Sequence, residues 1–144
     1  MTVAKILKSK GSAEVETIEP AATVLEATQR LAEKRYGSLV VSSDGETAEG
    51  ILSERDIVRE LGRRGAAVLS EPVERVMTRK VICCTRADKA VSVLATMTKE
   101  RFRHMPVVEG GRMVGIITLG DVVKYRLDEL AMEKDALEGM IMGF

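Results

Sequence analysis

Two pairs of chemically useful side chains recur in the same local setting, each a hydroxyl followed three residues later by an aspartate. They are Ser53 with Asp56 and Thr118 with Asp121. In both copies a glycine opens the short apolar run before the hydroxyl residue, and an apolar pair follows the aspartate. The two aspartates lie 65 positions apart in a chain of 144 residues, which indicates an internal duplication.

Each pair allows two interpretations. A Ser or Thr three residues before an acid is typical of a helix capping box, although Asp is shorter than the usual Glu. Alternatively, a hydroxyl and free backbone N–H groups at a helix N-terminus bind phosphate, while a nearby carboxylate accepts hydrogen bonds from ribose hydroxyls. The local spacing favours neither interpretation, but duplication in a matched context favours a ligand site.

The duplication extends well beyond these pairs. The matched segments are residues 3–7 with 73–77, 15–18 with 82–85, and 37–41 with 104–108. Apolar or small residues at i, i+3, i+4 and i+7 start at Val24 and again at Val91, which predicts two helices with one buried face each. The alignment sets Leu39 against Pro106 and makes the last turn two residues longer in the first copy.

Each copy is predicted to run helix, strand, helix, strand, turn, strand, helix. A unit of about 60 to 70 residues buries little apolar surface, so we expect two units, residues 1–66 and 67–144, to stack around one shared core. A linker is expected near residues 65–72. After Val123 an apolar helix continues, and it packs either on the module or on a second chain.

Composition excludes several classes of function. Lys plus Arg equals Asp plus Glu at 22 each, which argues against binding to nucleic acid or an anionic membrane. No apolar run approaches the length of a membrane span, and the first ten residues lack a secretory signal. The adjacent Cys83 and Cys84 fit a reducing compartment, so we expect a cytoplasmic protein. One of these two cysteines should face inward as a small hydrophobic residue.

Catalytic motifs are lacking in the sequence. His104 is the single histidine, and no Cys/His metal spacing, nucleophile elbow or phosphate-binding glycine motif occurs. We therefore expect a protein that is not an enzyme and has no catalytic cofactor.

Taken together, the motifs resemble a tandem pair of CBS domains, or Bateman module. They are Val76-Met77-Thr78, residues 103–108, and the two stretches that hold Ser53 and Thr118. The resemblance implies an α+β fold of two βαββα-type repeats packed sheet to sheet, with flanking N- and C-terminal helices. It also implies clefts that bind adenosine ligands: AMP, ADP, ATP, S-adenosylmethionine, or NAD and NADH. Disc-shaped dimers of modules are common in this family.

The resemblance implies ribose and phosphate roles for several residues. Asp56 and Asp121 match the ribose-binding aspartate, and Ser53 and Thr118 match the hydroxyl beside it. Thr78 matches a residue near the ribose. Residues at the positions of phosphate-contacting basic groups are Arg55, Arg103 and His104.

Adenine contacts are implied for a second set of residues. The adenine would lie against Val81 and Ile82, or against Val15 and Thr17 in the other copy. Backbone groups of His104 and Met105, before Pro106, would contact its edge. In the first copy Gly37 and Ser38 take those places, and Tyr36 is positioned to stack on a base.

The leading hypothesis is a regulatory module that senses an adenosine nucleotide and signals by rearrangement of its repeats or of a homodimer. Its regulated protein partner is not identified by the sequence. If one cleft alone is occupied, we expect the Asp121 cleft, because the first copy departs from the pattern. The alternative is a ligand-free scaffold for protein interaction.

Overall fold

A computed structural model describes residues 1–11, 15–34 and 37–142. The elements of the first half are α1 (Val3–Lys10), β1 (Thr17–Ile18), α2 (Val24–Lys34), β2 (Ser38–Val41), β3 (Gly50–Ser53) and α3 (Glu54–Arg64). Two 3-10 segments follow, Ala66–Ser70 and Val73–Arg75. The second half contains α4 (Ala90–Glu100), β4 (His104–Glu109), β5 (Arg112–Thr118) and α5 (Leu119–Ile141).

The strands form one small sheet in each half, and the predicted α+β class with flanking helices is confirmed. In the first sheet β1 is parallel to β2, and β2 is antiparallel to β3. In the second, β4 and β5 form an antiparallel pair. The strand predicted at residues 82–85 is reduced to a single parallel bridge between Cys84 and Val107.

The two cysteines face opposite ways, as the sequence predicts. Cys83 is exposed and Cys84 is buried. Burial, with smaller contributions from Asp88 and Cys83, raises the pKa of the Cys84 thiol to about 12. Because the thiolate is the reactive form of cysteine, the buried thiol is inert at neutral pH.

Strand register corrects the alignment of the two copies by one residue. Ser38 pairs with Ser53, and His104 pairs with Thr118. Ser38 and His104 are therefore equivalent, since each lies opposite the hydroxyl residue that precedes a helix. The predicted match of Ser38 with Met105 is wrong, and so is that of Gly37 with His104. Gly37 corresponds to Arg103, because their carbonyl oxygens accept equivalent bonds from the first residues of α3 and α5.

The same shift applies to the neighbouring elements. Val40, rather than Leu39, takes the position of Pro106. Val91, predicted to start the buried face of α4, is 60% exposed. The buried face lies one residue earlier in the chain and consists of Ala90, Val93 and Met97. The turn of the first copy is longer by one residue, and the prediction of two is wrong. Eight residues lie between the paired Val41 and Gly50, and seven lie between the equivalent pair, Val107 and Gly115.

Buried apolar side chains form two clusters, so the expectation of one shared core is wrong. The first cluster contains β1–β3 and α2 residues together with Val68, Val73 and Val76. The second contains α4, β4 and β5 residues together with Val3 and Ile6 of α1. Each core thus receives a segment from the opposite half of the chain. The expected linker at residues 65–72 is part of this packing, because Val68 is buried in the first core.

Residues 3–10 and residues 73–80 are the two exchanged segments, because each packs against the opposite half of the chain. Equivalent backbone bonds hold them in place. The amide of Val3 donates to the carbonyl of Asp88 at 2.9 Å, and the amide of Val73 donates to the carbonyl of Ala22 at 2.8 Å. In each case the segment attaches just before the helix of the opposite half, α4 or α2. The exchange is therefore repeated in both copies, although α1 is an α-helix and its counterpart is a short 3-10 turn.

Gly50 and Gly115 lie where side chains of the exchanged segments approach the backbone closely. A Cβ added at Gly115 would lie 2.8 Å from Cδ2 of Leu7, and one added at Gly50 would overlap the side chain of Met77. Leu7 and Met77 occupy equivalent places in the exchanged segments. The glycine that opens each repeated stretch therefore makes room for a side chain from the other half.

Replacing Gly115 by Ala should lower the free energy of unfolding by about 1 kcal/mol, the low end of the cost of overpacking, because the new methyl group overlaps only the end of the Leu7 side chain. In a Leu7→Ala background the cost should shrink, since the overlapping group is gone. Urea denaturation of the four proteins of this cycle measures the coupling. Gly62→Ala is the control, because nothing lies within 4 Å of its added Cβ, and it should not destabilise. Equal losses in both backgrounds would contradict the packing explanation.

The terminal helix α5 extends beyond the second core. Its early residues Val122 and Tyr125 pack on that core, whereas Leu127 and Leu137 are 61% and 60% exposed. Within residues 1–11, 15–34 and 37–142, no helix combines the length and apolar character needed to cross a bilayer.

Candidate functional site

Both hydroxyl–aspartate pairs form complete capping boxes. The amide of Asp56 donates to Oγ of Ser53 at 3.2 Å, and the amide of Ser53 donates to Oδ2 of Asp56 at 2.9 Å. The amides of Asp121 and Thr118 make the equivalent bonds at 3.0 and 2.9 Å. The Asp side chain is therefore long enough to accept a hydrogen bond from the backbone amide of the cap residue. The capping interpretation is confirmed for both pairs, and the ligand interpretation remains open because caps leave other N–H groups of the first turn free.

The remaining contacts of the two aspartates differ. Asp56 is 6% exposed, and its Oδ1 accepts a bond from Arg59 at 3.0 Å. Oδ2 of Asp121 instead lies 2.7 Å from Nζ of Lys10, which also donates to the carbonyl of Ile116. Lys10 belongs to the exchanged helix α1, so the Asp121 carboxylate is paired with a cation from the opposite half.

A cavity of about 520 Å³ lies at Asp56. Its volume falls within the range typical of small-molecule sites. Thr78 from the second exchanged segment lies at its edge, held by paired backbone bonds with Ile51 of β3. Because this pairing carries the chain along the first half, Val81 and Ile82 also line the cavity. The cavity is thus built from both halves of the chain.

Basic side chains outnumber acidic ones around the cavity. Five line it, from Arg55, Arg59, Lys80, Arg101 and Arg103, against three carboxylates, from Glu54, Asp56 and Glu100. The formal excess is two positive charges, and the N-terminus of α3 adds its partial positive charge. A concave surface with this balance favours an anionic ligand.

Apolar groups form a second part of the lining. Ile51, Val81, Ile82 and Phe102 contribute them, and each is partly exposed. The site therefore combines an apolar wall, a carboxylate at a helix N-terminus and a group of cations. Among the described residues, no group of three or more His, Cys, Asp or Glu side chains is arranged to hold a metal ion.

Family comparison assigns the fold. The CBS domain model matches this chain twice, over residues 5–63 and 73–128. The chain belongs to the CBS domain family. The two matched segments correspond to the duplicated units, so the protein carries a tandem CBS pair.

Proteins named for CBS domains align with most of this chain. The chain is 33% identical over 149 residues to the mitochondrial CBS domain-containing protein CBSX3 of Arabidopsis thaliana, covering 99% of this chain and 72% of that one. The crystal structure of the CBS-domain containing protein ATU1752 from Agrobacterium tumefaciens has a TM-score of 0.82 and 39% identity, covering 87% of this chain and 92% of that chain.

A third comparison concerns a ligand complex. The CBS domain pair of protein MJ0100, in complex with 5′-methylthioadenosine and S-adenosyl-L-methionine, has a TM-score of 0.75 and 25% identity. The alignment covers 87% of this chain and 98% of that chain.

Nine residues that the sequence suggested line the Asp56 cavity of the CBS pair. They are Gly37, Ser53, Arg55, Asp56, Thr78, Val81, Ile82, Arg103 and His104. The sequence grouped Thr78 and His104 with Asp121 because they share its repeat. The segment exchange brings Thr78 to Asp56, and His104 lines the same cavity while it pairs with Thr118, the cap residue of the Asp121 helix.

The other suggested residues lie elsewhere. Met105 is buried in the second core, and Pro106 lies within β4 beside it. Ser38 is buried on β2, and Thr17 pairs with Val40 in the first sheet. Val15, Thr118 and Asp121 are partly exposed and do not line the cavity at Asp56. Tyr36 lies outside the described residues.

Sequence reasoning missed several lining residues. Arg59 follows Asp56 by three positions, so helical spacing could have identified it. Lys80 and Arg101 have no such local signal. Arg101 ends α4 in a left-handed conformation, with φ of 59°, and only the tertiary fold places it beside α3.

His104 lies at the cavity in close contact with Gly37. A Cβ added at Gly37 would lie 2.8 Å from Cε1 of His104. Burial and the positive charge of Arg103 lower the pKa of His104, although Asp121 acts in the opposite direction. The imidazole is therefore neutral at pH 7.

The Lys10–Asp121 pair should stabilise the protein only above acidic pH. Burial alone would raise the pKa of Asp121, but bonds from Lys10 and the Thr118 amide outweigh burial and hold it below 3.8. The pair therefore stabilises the fold at pH values above the pKa of Asp121 in the unfolded chain. This stability is lost as the pH falls through the lower pKa that Asp121 has in the folded protein. Lys10→Met should raise the pKa of Asp121 and reduce the free energy of unfolding near neutral pH by about 1 kcal/mol or less.

Urea denaturation over a pH series, with NMR titration of the Asp121 carboxyl, measures both effects. The difference from the wild type should disappear in acid. Lys5→Met, which removes an exposed lysine from the same helix, is the matched control. A pH-independent difference would contradict the assignment of the stabilisation to this pair.

Proposed function

We propose that this CBS pair is a non-catalytic regulatory module that binds a phosphorylated adenosine nucleotide in the cavity at Asp56. The observation that supports this proposal most directly is the composition of the cavity, with an apolar wall, a carboxylate at a helix N-terminus and an excess of cations. These three features match the base, the ribose and the phosphates of a nucleotide.

Within the proposed complex, the adenine lies against Val81 and Ile82. The ribose hydroxyls donate to Asp56, whose carboxylate already accepts a bond from the exposed side chain of Arg59. We infer that Arg59 leaves Asp56 when the ribose binds and turns towards the phosphates. Arg55 and Arg103 supply further phosphate contacts, because guanidinium groups bind phosphate oxygens in pairs.

Charge distinguishes the candidate ligands. The MJ0100 pair was solved with 5′-methylthioadenosine and S-adenosyl-L-methionine, neither of which carries a phosphate. A sulfonium cation would face the excess of positive charge around this cavity, whereas phosphates would neutralise it. We therefore place AMP, ADP and ATP first, NAD and NADH next, and S-adenosylmethionine last.

Between the two clefts, we now propose the Asp56 cleft as the first to fill, in place of the Asp121 cleft expected from sequence. Both aspartates have a cationic partner, but the Lys10 side chain at Asp121 is 28% exposed and is also held by the carbonyl of Ile116, so a ribose there would have to displace an anchored cation. At Asp56 the competing group is Arg59, whose side chain is 54% exposed and which returns to solvent or phosphate at little cost.

Signalling would follow from the way the cavity is assembled. A nucleotide that contacts α3 and also Arg103 of the other half favours the arrangement in which both are within reach. We propose that this change is passed to a homodimer partner or to a separate regulated protein. The free thiols of Cys83 and Cys84 support a reducing compartment such as the cytoplasm.

A ligand screen tests the proposal. AMP, ADP, ATP, NAD, NADH and S-adenosylmethionine are each added to the purified protein, and thermal unfolding is followed. A bound ligand at 100 times its dissociation constant should add about 2.7 kcal/mol of stability. Stabilisation by phosphorylated nucleotides is the expected result. If none of the six changes unfolding, the scaffold alternative replaces the proposal.

Charge-removing variants locate the binding site. Arg55→Gln and Arg103→Gln should each weaken ATP binding about tenfold, because each removes a charge-assisted contact worth about 1.5 kcal/mol. Arg86→Gln removes the same charge outside the cavity, where Arg86 pairs with Glu109, and should leave affinity unchanged. Isothermal titration calorimetry gives the affinities. Equal effects of all three substitutions would contradict the proposed site.

Nucleotide binding should also raise the pKa of His104, because phosphate charge favours the imidazolium form. Binding then takes up a proton, so affinity should increase as the pH falls from the bound-state pKa towards the free-state pKa. His104 is the single histidine, and one NMR signal reports its titration. A His104→Asn variant controls for the titration of the phosphate itself. An unchanged pKa in the complex would place His104 away from the phosphates.

A further inference from the structure

The outer part of α5 carries an apolar stripe that none of the described residues of the chain covers. Leu127, Leu130, Leu137 and Ile141 are 61%, 43%, 60% and 84% exposed. From Leu127 onward almost every described side chain of the helix is exposed, including those between the apolar positions. About four turns of helix therefore extend away from the second core.

Spacing along the stripe is that of a coiled-coil seam. Val123, Leu127, Leu130, Lys134, Leu137 and Ile141 alternate in steps of four and three residues, which keeps them on one side of a helix that pairs with another. In heptad notation Leu127, Lys134 and Ile141 are a positions, and Val123, Leu130 and Leu137 are d positions. Lys134 is the single charged residue among these six.

The charge of α5 argues for another helix as its partner. Residues 127–141 contain five acidic side chains and one basic side chain, so an anionic lipid surface would repel them. Lys124 and Arg126 make the preceding turn basic. The helix is thus basic near its base and acidic towards its end.

This asymmetry favours a second copy in the antiparallel orientation. In an antiparallel pair centred on residue 132, each seam residue faces the one equally far from residue 132 on the other side. Leu127 then faces Leu137, Leu130 faces Lys134, and Val123 faces Ile141 of the other copy. The flanking e positions then bring Lys124 beside Glu138 of the partner subunit, twice. The g positions bring Glu133 beside Glu133 of the partner subunit, so the register has two attractive pairs and one like-charged pair. A parallel pair would instead place Lys134 against Lys134 and Glu133 near Glu138, which are like charges. Antiparallel helix dipoles also attract each other.

We propose that the protein forms a homodimer through an antiparallel coiled coil of the outer part of α5, from Val123 to Ile141. This inference makes the proposed homodimer specific, and it does not depend on nucleotide binding. Lys134 has a defined role in the interface, because a charged a position opposite Leu130 is tolerated in the antiparallel register and repelled in the parallel one.

Mass measurement by sedimentation velocity tests the interface. The wild-type chain of 15.7 kDa should sediment at twice that mass. Leu127→Glu combined with Leu137→Glu should give the monomer, because four carboxylates would enter the seam. Met132→Glu, on the outer side of the same helix and 72% exposed, should leave the dimer intact. A wild-type monomer, or a dimer that survives the double substitution, would overturn the proposal.

Disulfide trapping tests the orientation. In a Cys83→Ala background, Leu127→Cys and Leu137→Cys are made as separate variants. The antiparallel register predicts a covalent dimer only when the two variants are mixed, since disulfides need the two Cα atoms within about 7 Å. A parallel pair would cross-link each variant with itself, and that result would overturn the register. Nucleotide titrations of the monomeric double variant keep this outcome separate from the test of the Asp56 site.

Discussion

Exchange of apolar segments between the two halves is the constraint on which the rest of this CBS pair depends. Val3 and Ile6 complete the core of the second half, and Val73 and Val76 complete that of the first. Neither sheet has enough apolar surface of its own to form a stable unit. Burying a segment of the opposite half supplies that surface, and it also ties the two halves together.

Chemical differences between the two clefts follow from the same exchange. The exchanged segments carry lysines at equivalent positions, Lys10 and Lys80, yet Lys10 pairs with Asp121 while Lys80 lines the cavity at Asp56. Asp121 is therefore paired with a cation of the exchanged segment, whereas Asp56 is paired with Arg59 of its own helix and the cavity beside it has an excess of positive charge. The duplicated sequence has in this way produced two equivalent aspartates whose surroundings differ in charge.

Helix α5 connects the edge of the Asp56 cavity with the exposed apolar stripe. Its first turn is capped by Thr118, which pairs with His104 at the edge of the cavity. Its last turns carry the apolar seam assigned to the dimer. Because a continuous α-helix transmits a rotation of one end to the other, a ligand that moved His104 or Arg103 would have a rigid path to the proposed dimer interface. This path is a physical basis for coupling, and its energy is set by how differently the ligand binds the two arrangements.

Sequence alone determined the duplication, the alternation of helices and strands, and the inward orientation of one of the two adjacent cysteines, because these depend on periodicity and on contacts within a few residues. It offered the helix caps at Ser53 and Thr118 as one of two interpretations, and family resemblance gave the α+β class. The register between the copies needed the strand pairs, since a shift of one residue leaves an apolar pattern almost unchanged along a short buried strand. The grouping of Thr78, Lys80, Arg101 and His104 around Asp56 needed the tertiary structure. Thr78 and Lys80 reach Asp56 through the segment exchange, and Arg101 and His104 reach it through the packing of the second half beside α3. Neither kind of long-range packing leaves a local signal in the spacing of the chain.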